Sequence, residues 1–162
     1  MAKNSDFLRT AEDILEVLIR DECDNSAIFN SSIENLLERC RAKFKENIGI
    51  ESVKFLESES NSTLQIISDF IHHKYSPITG KIGALIKLQS SSMTDEAAFK
   101  DLGSKIAKQA VALNDQSLDL DKLLNSEYLF SSVGSVKNFI ALHEEILKTD
   151  ITLKDVVFAK IK

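Results

Sequence analysis

The chain has 162 residues, of which 43% are hydrophobic and 28% are charged, and its formal net charge is −5. This composition is typical of a globular protein and argues against disorder. The acidic excess, without a dense basic run, argues against nucleic-acid binding, which requires clustered positive charge. The sequence shows neither an apolar stretch as long as a membrane span nor an apolar signal core. We therefore expect a cytoplasmic protein with no membrane partner.

The N-terminal third is predicted to be helical. Apolar residues at steps of three and four predict a helix over residues 6–22. Ser31-Ser32-Ile33-Glu34 then fits a capping box, in which Ser31 is the cap and Glu34 follows three residues later. The apolar stripe of this second helix continues to Phe44.

After Asn47 the apolar residues recur at every second position, which is the period of a half-buried strand. We predict strands over residues 48–55, 64–73 and 80–89, and their short connections favour an antiparallel meander. The third of these strands is predicted to face the core with its even-numbered apolar residues, Ile82, Ala84, Ile86 and Leu88.

A helix capped by Thr94 is predicted to cover the sheet, since apolar residues recur along it at steps of three and four. Its predicted face consists of Phe99, Leu102, Ile106, Ala110 and Leu113. Gly103 and Ala107 keep the same side narrow, so we expect this helix to lie close on the sheet.

The C-terminal part is predicted to contain a loop with a short helix over residues 113–130, a last helix from Val136 to Leu147 and a closing strand. The alternating residues of that strand are Ile151, Leu153, Val157, Ala159 and Ile161. The predicted class is α+β: a helical N-terminal part, a three-stranded antiparallel sheet covered by a helix, and a helix–strand C-terminal tail. The predicted domains are residues 1–47, 48–118 and 119–162.

The sequence offers no convincing set of catalytic residues, metal ligands or cofactor-binding motifs. His72 and His73 are neighbours on a predicted strand, so we expect their side chains to point to opposite faces and not to share a metal. The remaining candidates are His143, Cys23 and Cys40, which lack the spacing of a zinc site. We predict that His143 is a helix histidine near the edge of the core, and that both cysteines are reduced thiols.

Four short motifs follow one another in the middle of the chain. They have the forms K-x-x-E-N-I-x-[IL]-x-x-V, aromatic-x-His, G-[RK]-I-G-x-L and L-[GA]-x-x-I-A-x-x-[IV]-A. The matching residues are Lys43, Glu46, Asn47, Ile48, Ile50 and Val53; Phe70 and His72; Gly80, Lys81, Ile82, Gly83 and Leu85; and Leu102, Gly103, Ile106, Ala107 and Ala110. In order and spacing, these motifs resemble bacterial elongation factor Ts, and the resemblance covers most of the chain.

The resemblance implies a guanine nucleotide exchange factor that makes no covalent bonds. Such a protein binds elongation factor Tu and promotes GDP release in protein synthesis, and residues 48–118 would be its partner-binding subdomain. The implied partner contacts are His72 at a strand end, Gly80, Lys81, Ile82 and Gly83 on the next strand, and Phe44 and Lys45, which stand where the family has an Ile-Gly pair. No cofactor is implied.

Parts of the family pattern have no counterpart in this sequence. These are the N-terminal helical domain, the Thr-Asp-Phe-Val motif, the coiled-coil protrusion and the final helix. Ser5-Asp6-Phe7 is similar to the motif but stands about one helical turn downstream of it, so Asp6 and Phe7 are an alternative wedge beside the magnesium site of the partner. We therefore expect weak binding and poor exchange. Homodimerisation through the core stays open.

Two hypotheses from other classes remain beside this one. An unrelated α+β enzyme or small-molecule binding domain would show a deep pocket with a histidine or cysteine beside perturbed carboxylates. A structural self-association module would show an exposed apolar face on the last helix.

Overall fold

The computed structural model describes residues 4–20, 31–58, 64–92 and 95–161. The chain forms two compact units. The first consists of Met1–Phe55 with Lys74–Gly80, and the second of Leu56–His73 with Lys81–Lys162. The domain limits expected from the sequence stay predictions.

The first unit contains two helices, α1 (Ser5–Arg20) and α2 (Ser31–Phe44). Both were predicted, although residues 21 and 22 of the first prediction lie outside the described ranges. The Asn4 side chain accepts a hydrogen bond from the Asp6 amide at 2.9 Å, which stabilises the start of α1. Ser31, predicted as a cap, is the first residue of α2.

The core of the first unit lies between these helices. Its buried members are Leu18, Ile33 and Leu37, and its half-buried members are Ile14, Val17, Ile48, Ile50 and Val53. Cys40 is free and buried. Cys23 lies outside the described residues, so the reduced state of both cysteines stays a prediction.

The predicted strand over residues 48–55 is wrong, because the structure has no strand there. Ile48, Ile50 and Val53 pack on the helix pair instead, whereas Phe55 is exposed. Arg41 donates from Nε to the Ile48 carbonyl at 2.7 Å, so a side chain satisfies a backbone group that a sheet would otherwise pair. Arg41 is itself fixed by Glu34, with Nη1 and Oε1 at 2.5 Å.

The second unit is built on a three-stranded sheet in the order β1-β2-β3. The strands are β1 (Leu64–Lys74), β2 (Gly80–Ser90) and β3 (Ile151–Lys160). The predicted α+β class with an antiparallel three-stranded sheet is confirmed. The third strand, however, is the C-terminal one and not the segment before β1, so the predicted meander of three consecutive strands is wrong.

A β-bulge sets the pattern of burial along β3. Lys87 of β2 pairs with Asp155, whereas the next residue, Leu88, pairs with Leu153. The extra residue shifts the alternation by one position. Consequently Phe158 is buried and Ala159 is exposed, which is the reverse of the predicted alternation.

Helix α3 (Glu96–Leu113) covers the even-numbered face of β2. Its N-cap is Asp95, whose side chain accepts a hydrogen bond from the Ala98 amide at 2.9 Å. Thr94, the predicted cap, lies outside the described residues. The predicted helix face is confirmed, since Phe99, Leu102, Ile106 and Ala110 are all buried and Leu113 is half-buried.

The helices of the tail are α4 (Leu120–Asn125) and α5 (Val136–Leu147), as predicted. Residues 114–119, which join α3 to α4, are fully described and contain no helical protrusion. His143 lies half-buried on α5, with its Nδ1 2.9 Å from the Phe139 carbonyl oxygen. This agrees with a helix histidine near the edge of the core.

Within the described ranges, none of the helices has the length and apolar character that crossing a membrane requires.

Candidate functional site

The predicted contact residues fall into two groups, one on the β1–β2 hairpin and one at the ends of α1 and α2. The hairpin turns through Tyr75 and Thr79, where the Tyr75 amide donates to the Thr79 carbonyl at 2.9 Å. Ser76 donates from its hydroxyl to Glu12 of α1 at 2.6 Å. The turn residues 74–80 belong to the first unit, and this hydrogen bond joins them to α1 within that unit.

His72 and His73 lie together near the end of β1, and both are exposed. Their ring centroids are 4.0 Å apart, with a tilt of 51° between the rings. The prediction that they point to opposite faces is wrong, because His73 has a φ of 51°, which interrupts the alternation of the strand. No metal-binding group of three histidine, cysteine or carboxylate residues occurs in the described part of the chain.

The other hairpin residues lie at the start of β2. Lys81 is exposed, whereas Gly80, Ile82 and Gly83 are half-buried. Because β2 is the central strand, its backbone groups are used within the sheet: the Ile161 amide donates to the Lys81 carbonyl at 2.9 Å. This part of β2 can thus offer a partner its side chains and its face, but not a free edge.

Gly83 is not required by the fold. A Cβ at this position would lie 3.7 Å from the Phe70 carbonyl oxygen and 3.8 Å from Ile71 Cγ1, which are ordinary contacts. Its φ is not positive either. In the pairing of β2 with β3, Gly83 lies opposite Ala159 in regular register, and the bulge lies further along, between Lys87 and Leu88.

In the second group, the two candidate wedge residues, Asp6 and Phe7 of α1, contact residues of α2. Asp6 Oδ2 lies 2.5 Å from Lys43 Nζ. The Phe7 and Phe44 rings meet edge to face, with centroids 6.0 Å apart and an interplanar angle of 80°. Both candidate wedge side chains therefore already have partners within the first unit.

Lys45 directly follows the last residue of α2 and is exposed. Its φ is 53°, and its amide donates to the Arg41 carbonyl at 2.8 Å, which is the geometry of a left-handed helix end. The sequence did not predict Lys43 as the partner of Asp6. Lys43 matched a family motif, but the sequence gives no sign that it would pair with Asp6, thirty-seven positions away.

Lys43 lowers the pKa of Asp6, mainly through its hydrogen bond and then through its positive charge. We expect NMR titration to place the pKa of the Asp6 carboxyl below its ordinary value of about 3.9. Lys43→Met should raise that pKa towards the ordinary value, whereas Lys45→Met should leave it unchanged. An unaltered Asp6 pKa in Lys43→Met would contradict the pairing.

The sign of the linked stability follows from this direction. A carboxyl whose pKa is lowered by folding contributes stability at pH values above its unfolded pKa, and that contribution is lost as the pH falls through the folded pKa. Any stabilisation from the Asp6–Lys43 pair should therefore be present above about pH 4 and disappear in more acidic solution.

An open cavity of about 400 Å³ lies in the second unit among α4, α5 and β3. Its polar lining residues are Asp121, Asn125, Lys137, Glu144 and Thr152. It contains neither a histidine nor a cysteine, and Glu144 already accepts a hydrogen bond from the Ile151 amide at 2.8 Å. The lining of this cavity therefore lacks the histidine or cysteine that the hypothesis of an unrelated enzyme or binding domain expects.

The outer side of α5 carries two exposed apolar residues one turn apart, Leu142 and Ile146. The self-association hypothesis expects such an exposed apolar face on the last helix. It therefore remains an alternative to the exchange-factor hypothesis.

Comparison with known proteins identifies the family. The family model described as elongation factor TS matches residues 1–153. The chain is also similar to several proteins named elongation factor Ts. It is 29% identical over 128 residues to that of Rhodopseudomonas palustris (strain BisA53), which covers 76% of this chain and 40% of the relative. It is 28% identical over 153 residues to that of Ehrlichia canis (strain Jake), which covers 86% of this chain and 51% of the relative.

The protein of the same name from Wolbachia pipientis wMel is 25% identical over 138 residues, which covers 78% of this chain and 46% of the relative. The chain thus spans about half or less of the length of these relatives. The family model nevertheless matches nearly all of it, in agreement with the motifs on α2, β1, β2 and α3. The chain belongs to the elongation factor Ts family.

Proposed function

We propose that this chain binds elongation factor Tu and promotes the release of GDP from it during protein synthesis. The observation that supports this most strongly is the match of the family model over residues 1–153. The role is one of binding without covalent chemistry. It rests on the general function of the family.

An exchange factor acts through linked equilibria. If it binds better to the state of the partner that holds GDP weakly, the affinity of the partner for GDP must fall by the same factor. Converting a mostly bound nucleotide into a mostly released one requires a differential binding energy of about 5 kcal/mol. The site must therefore combine strong binding with groups that fit only the state of the partner that holds GDP weakly.

The β1–β2 hairpin is the proposed grip, that is, the surface that makes the main binding contact with the partner. Its exposed side chains His72, His73, Lys74 and Lys81 offer imidazole and ammonium donors. A partner surface rich in carbonyl and carboxylate oxygens would suit them. We place the main contact at His72 and over Gly80–Gly83, where Gly83 leaves the face of the sheet open.

Asp6 and Phe7 are the proposed wedge, and Phe44 and Lys45 lie beside them. To enter a partner, Asp6 would have to leave Lys43 and Phe7 would have to leave Phe44. These contacts compete with wedge insertion. We therefore expect the chain to bind elongation factor Tu weakly and to accelerate GDP release only poorly.

The grip is tested by His72→Ala/Lys81→Ala. Removing two hydrogen-bonding side chains, each contributing about 0.5–1.5 kcal/mol, should weaken binding to elongation factor Tu about tenfold. Binding is measured by titration calorimetry, and exchange by the fluorescence of labelled GDP on purified elongation factor Tu. Lys137→Ala, an exposed lysine on α5, is the matched control and should bind like the unaltered chain.

The outcomes separate the parts of the proposal. Binding without faster GDP release would support the hairpin contact. It would also agree with Asp6 and Phe7 staying bound to Lys43 and Phe44 and not entering the partner. Full exchange activity would contradict the expectation of a weak factor. Absence of any binding by the unaltered chain would overturn the proposed function and leave only the family and the fold.

A further inference from the structure

The loop over residues 126–135, between α4 and α5, presents two large apolar side chains to solvent. Leu129 is 56% exposed and Phe130 is 45% exposed. Single exposed apolar residues are common on protein surfaces, so exposure alone supports no conclusion. The way in which this loop is held is more informative.

The backbone of the loop is fixed from α3 by Gln109, which is fully buried. Gln109 donates from Nε2 to the Glu127 carbonyl at 2.7 Å, and its Oε1 accepts from the Leu129 amide at 3.0 Å. The Tyr128 amide donates to the Gly134 carbonyl at 2.7 Å and closes the loop. The backbone is therefore held on both sides of the exposed pair.

The Phe130 ring is held as well. It meets Tyr128 edge to face, with centroids 5.7 Å apart, and Tyr128 stacks on Phe139 of α5 at 3.9 Å. Lys108 of α3 places its Nζ 4.4 Å from the centroid of the Phe130 ring. A side chain that is already ordered loses less conformational freedom when it binds, so this arrangement favours use as an anchor.

The charge beside the ring indicates the chemistry of the partner. Lys105, one turn before Lys108, is paired with Asp101 at 2.6 Å. Among the described residues Lys108 has no carboxylate partner, so its positive charge remains available beside Phe130. A complementary surface would combine an apolar pocket for the two side chains with a carboxylate at its rim.

We propose that Leu129 and Phe130 form a second anchor for elongation factor Tu, seated in an apolar pocket whose rim carboxylate meets Lys108. This inference rests on the proposed function and adds a contact outside the family motifs. Buried aromatic anchors are typical of the few residues that dominate protein–protein affinity. The same compact unit also carries His72 and Lys81.

The test uses the full chain and purified elongation factor Tu. Leu129→Ser/Phe130→Ser should weaken binding about thirtyfold, as expected for the loss of a central apolar anchor. Leu64→Ser is the matched control, since Leu64 is an apolar residue of the same unit with 46% exposure, and it should change the affinity less than about twofold. Thermal unfolding of each variant verifies that the fold is retained, because all three side chains lie at the surface.

Lys108 tests the predicted rim. Lys108→Met keeps an apolar stem over the ring and removes the charge, so it should weaken binding severalfold, whereas Lys108→Glu should weaken it about tenfold or more. Equal weakening by both variants would show that the charge of the partner plays no part and would overturn the proposed acidic rim.

The remaining outcomes are distinct from failure of the proposed function. If the double serine variant binds like the unaltered chain while His72→Ala/Lys81→Ala still weakens binding, the second anchor is overturned and the hairpin contact stands. If the unaltered chain does not bind at all, both proposals are overturned. If sedimentation shows a dimer that the double serine variant abolishes, a second copy of this chain covers the loop, and the anchor for elongation factor Tu is overturned.

Discussion

Gly103→Ala should destabilise the second unit by about 2 kcal/mol, although alanine is the better helix former. An added Cβ at this position would lie 2.7 Å from Ser68 Cβ, would contact Ser68 Oγ even more closely, and would lie 3.4 Å from Leu88 Cδ1. Overpacking of this kind costs up to about 3 kcal/mol. The gain in helix propensity is only about 1 kcal/mol, so the steric term decides the sign.

Ser68 cannot easily make room for a methyl group. It is 1% exposed and belongs to β1, and its hydroxyl donates to the Lys100 carbonyl of α3 at 3.1 Å. Rotation of the hydroxyl would break this hydrogen bond and would still leave the Cβ in place. Relief therefore requires α3 to move away from the sheet, which would loosen the contacts on both sides of Gly103.

The stability of Gly103→Ala is measured by urea unfolding in a Tyr75→Phe background. The chain has two tyrosines and no tryptophan, so Tyr128 fluorescence would then report on the second unit alone. The midpoint should fall with an unchanged slope, which indicates a change in stability and not in the extent of unfolding.

A double-mutant cycle identifies the cause. Ser68→Gly removes both serine atoms that an alanine at position 103 would meet, so Ser68→Gly/Gly103→Ala should be more stable than the sum of the two single changes predicts. Gly83→Ala is the control in the same unit, because the Cβ that it would add makes only ordinary contacts, at 3.7 Å and 3.8 Å. Gly103→Ala at or above the stability of the unaltered chain would disprove the close helix–sheet contact.

This contact is also the part of the fold that the sequence predicted best. The three- and four-residue steps of α3 and the two-residue steps of β2 are local periodicities, and each specifies which face is buried. The small residues Gly103 and Ala107 on the same side of α3 also predicted that α3 and the sheet lie close together. The structure confirms these predictions because neighbouring residues alone determine them.

The errors arose where distant residues decide the outcome. Residues 48–55 have the spacing of a strand, but most of their apolar side chains pack on the helix pair, and Arg41 satisfies the Ile48 carbonyl. The third strand of the sheet comes instead from residues more than sixty positions beyond β2. Periodicity does not reveal strand pairing over such a distance, nor the single-residue bulge that moves Phe158 into the core.

The candidate site was predictable only in part for the same reason. The hairpin residues were identified through a family resemblance, and the structure places His72 and Lys81 at an exposed end of the hairpin. The contacts of Asp6 with Lys43 and of Phe7 with Phe44 were missed, because they join two helices through side chains far apart in sequence. The φ of His73, which brings the two imidazoles together, also has no local signal in the sequence.

Gln109→Met should lower the stability of the second unit by about 3 kcal/mol. Methionine has nearly the same volume as glutamine, so no large cavity forms. It cannot replace the hydrogen bonds to the Glu127 carbonyl and the Leu129 amide, at 2.7 and 3.0 Å. Two backbone groups would then lose their partner beside a fully buried side chain, and each such loss costs about 1–3 kcal/mol.

The matched control is Gln89→Met in the same unit. Gln89 is half-buried, and its side chain accepts a hydrogen bond from Gln65 at 3.3 Å. Because this bond is long, its loss should change the stability of the unit only slightly. Hydrogen exchange provides the second measurement. In Gln109→Met the protection of the Leu129 amide should fall well below that of amides in α3, whereas in Gln89→Met it should not change.

The same variant separates ordering of the loop from contact with a partner. Gln109 is buried and cannot touch elongation factor Tu, yet its loss should free the backbone that presents Leu129 and Phe130. If the anchor depends on an ordered loop, Gln109→Met should weaken binding while both anchor side chains are still present, because the partner must then order the loop itself. Unchanged stability together with a protected Leu129 amide would instead show that the Tyr128–Gly134 hydrogen bond and the Tyr128–Phe139 stack suffice to hold the loop.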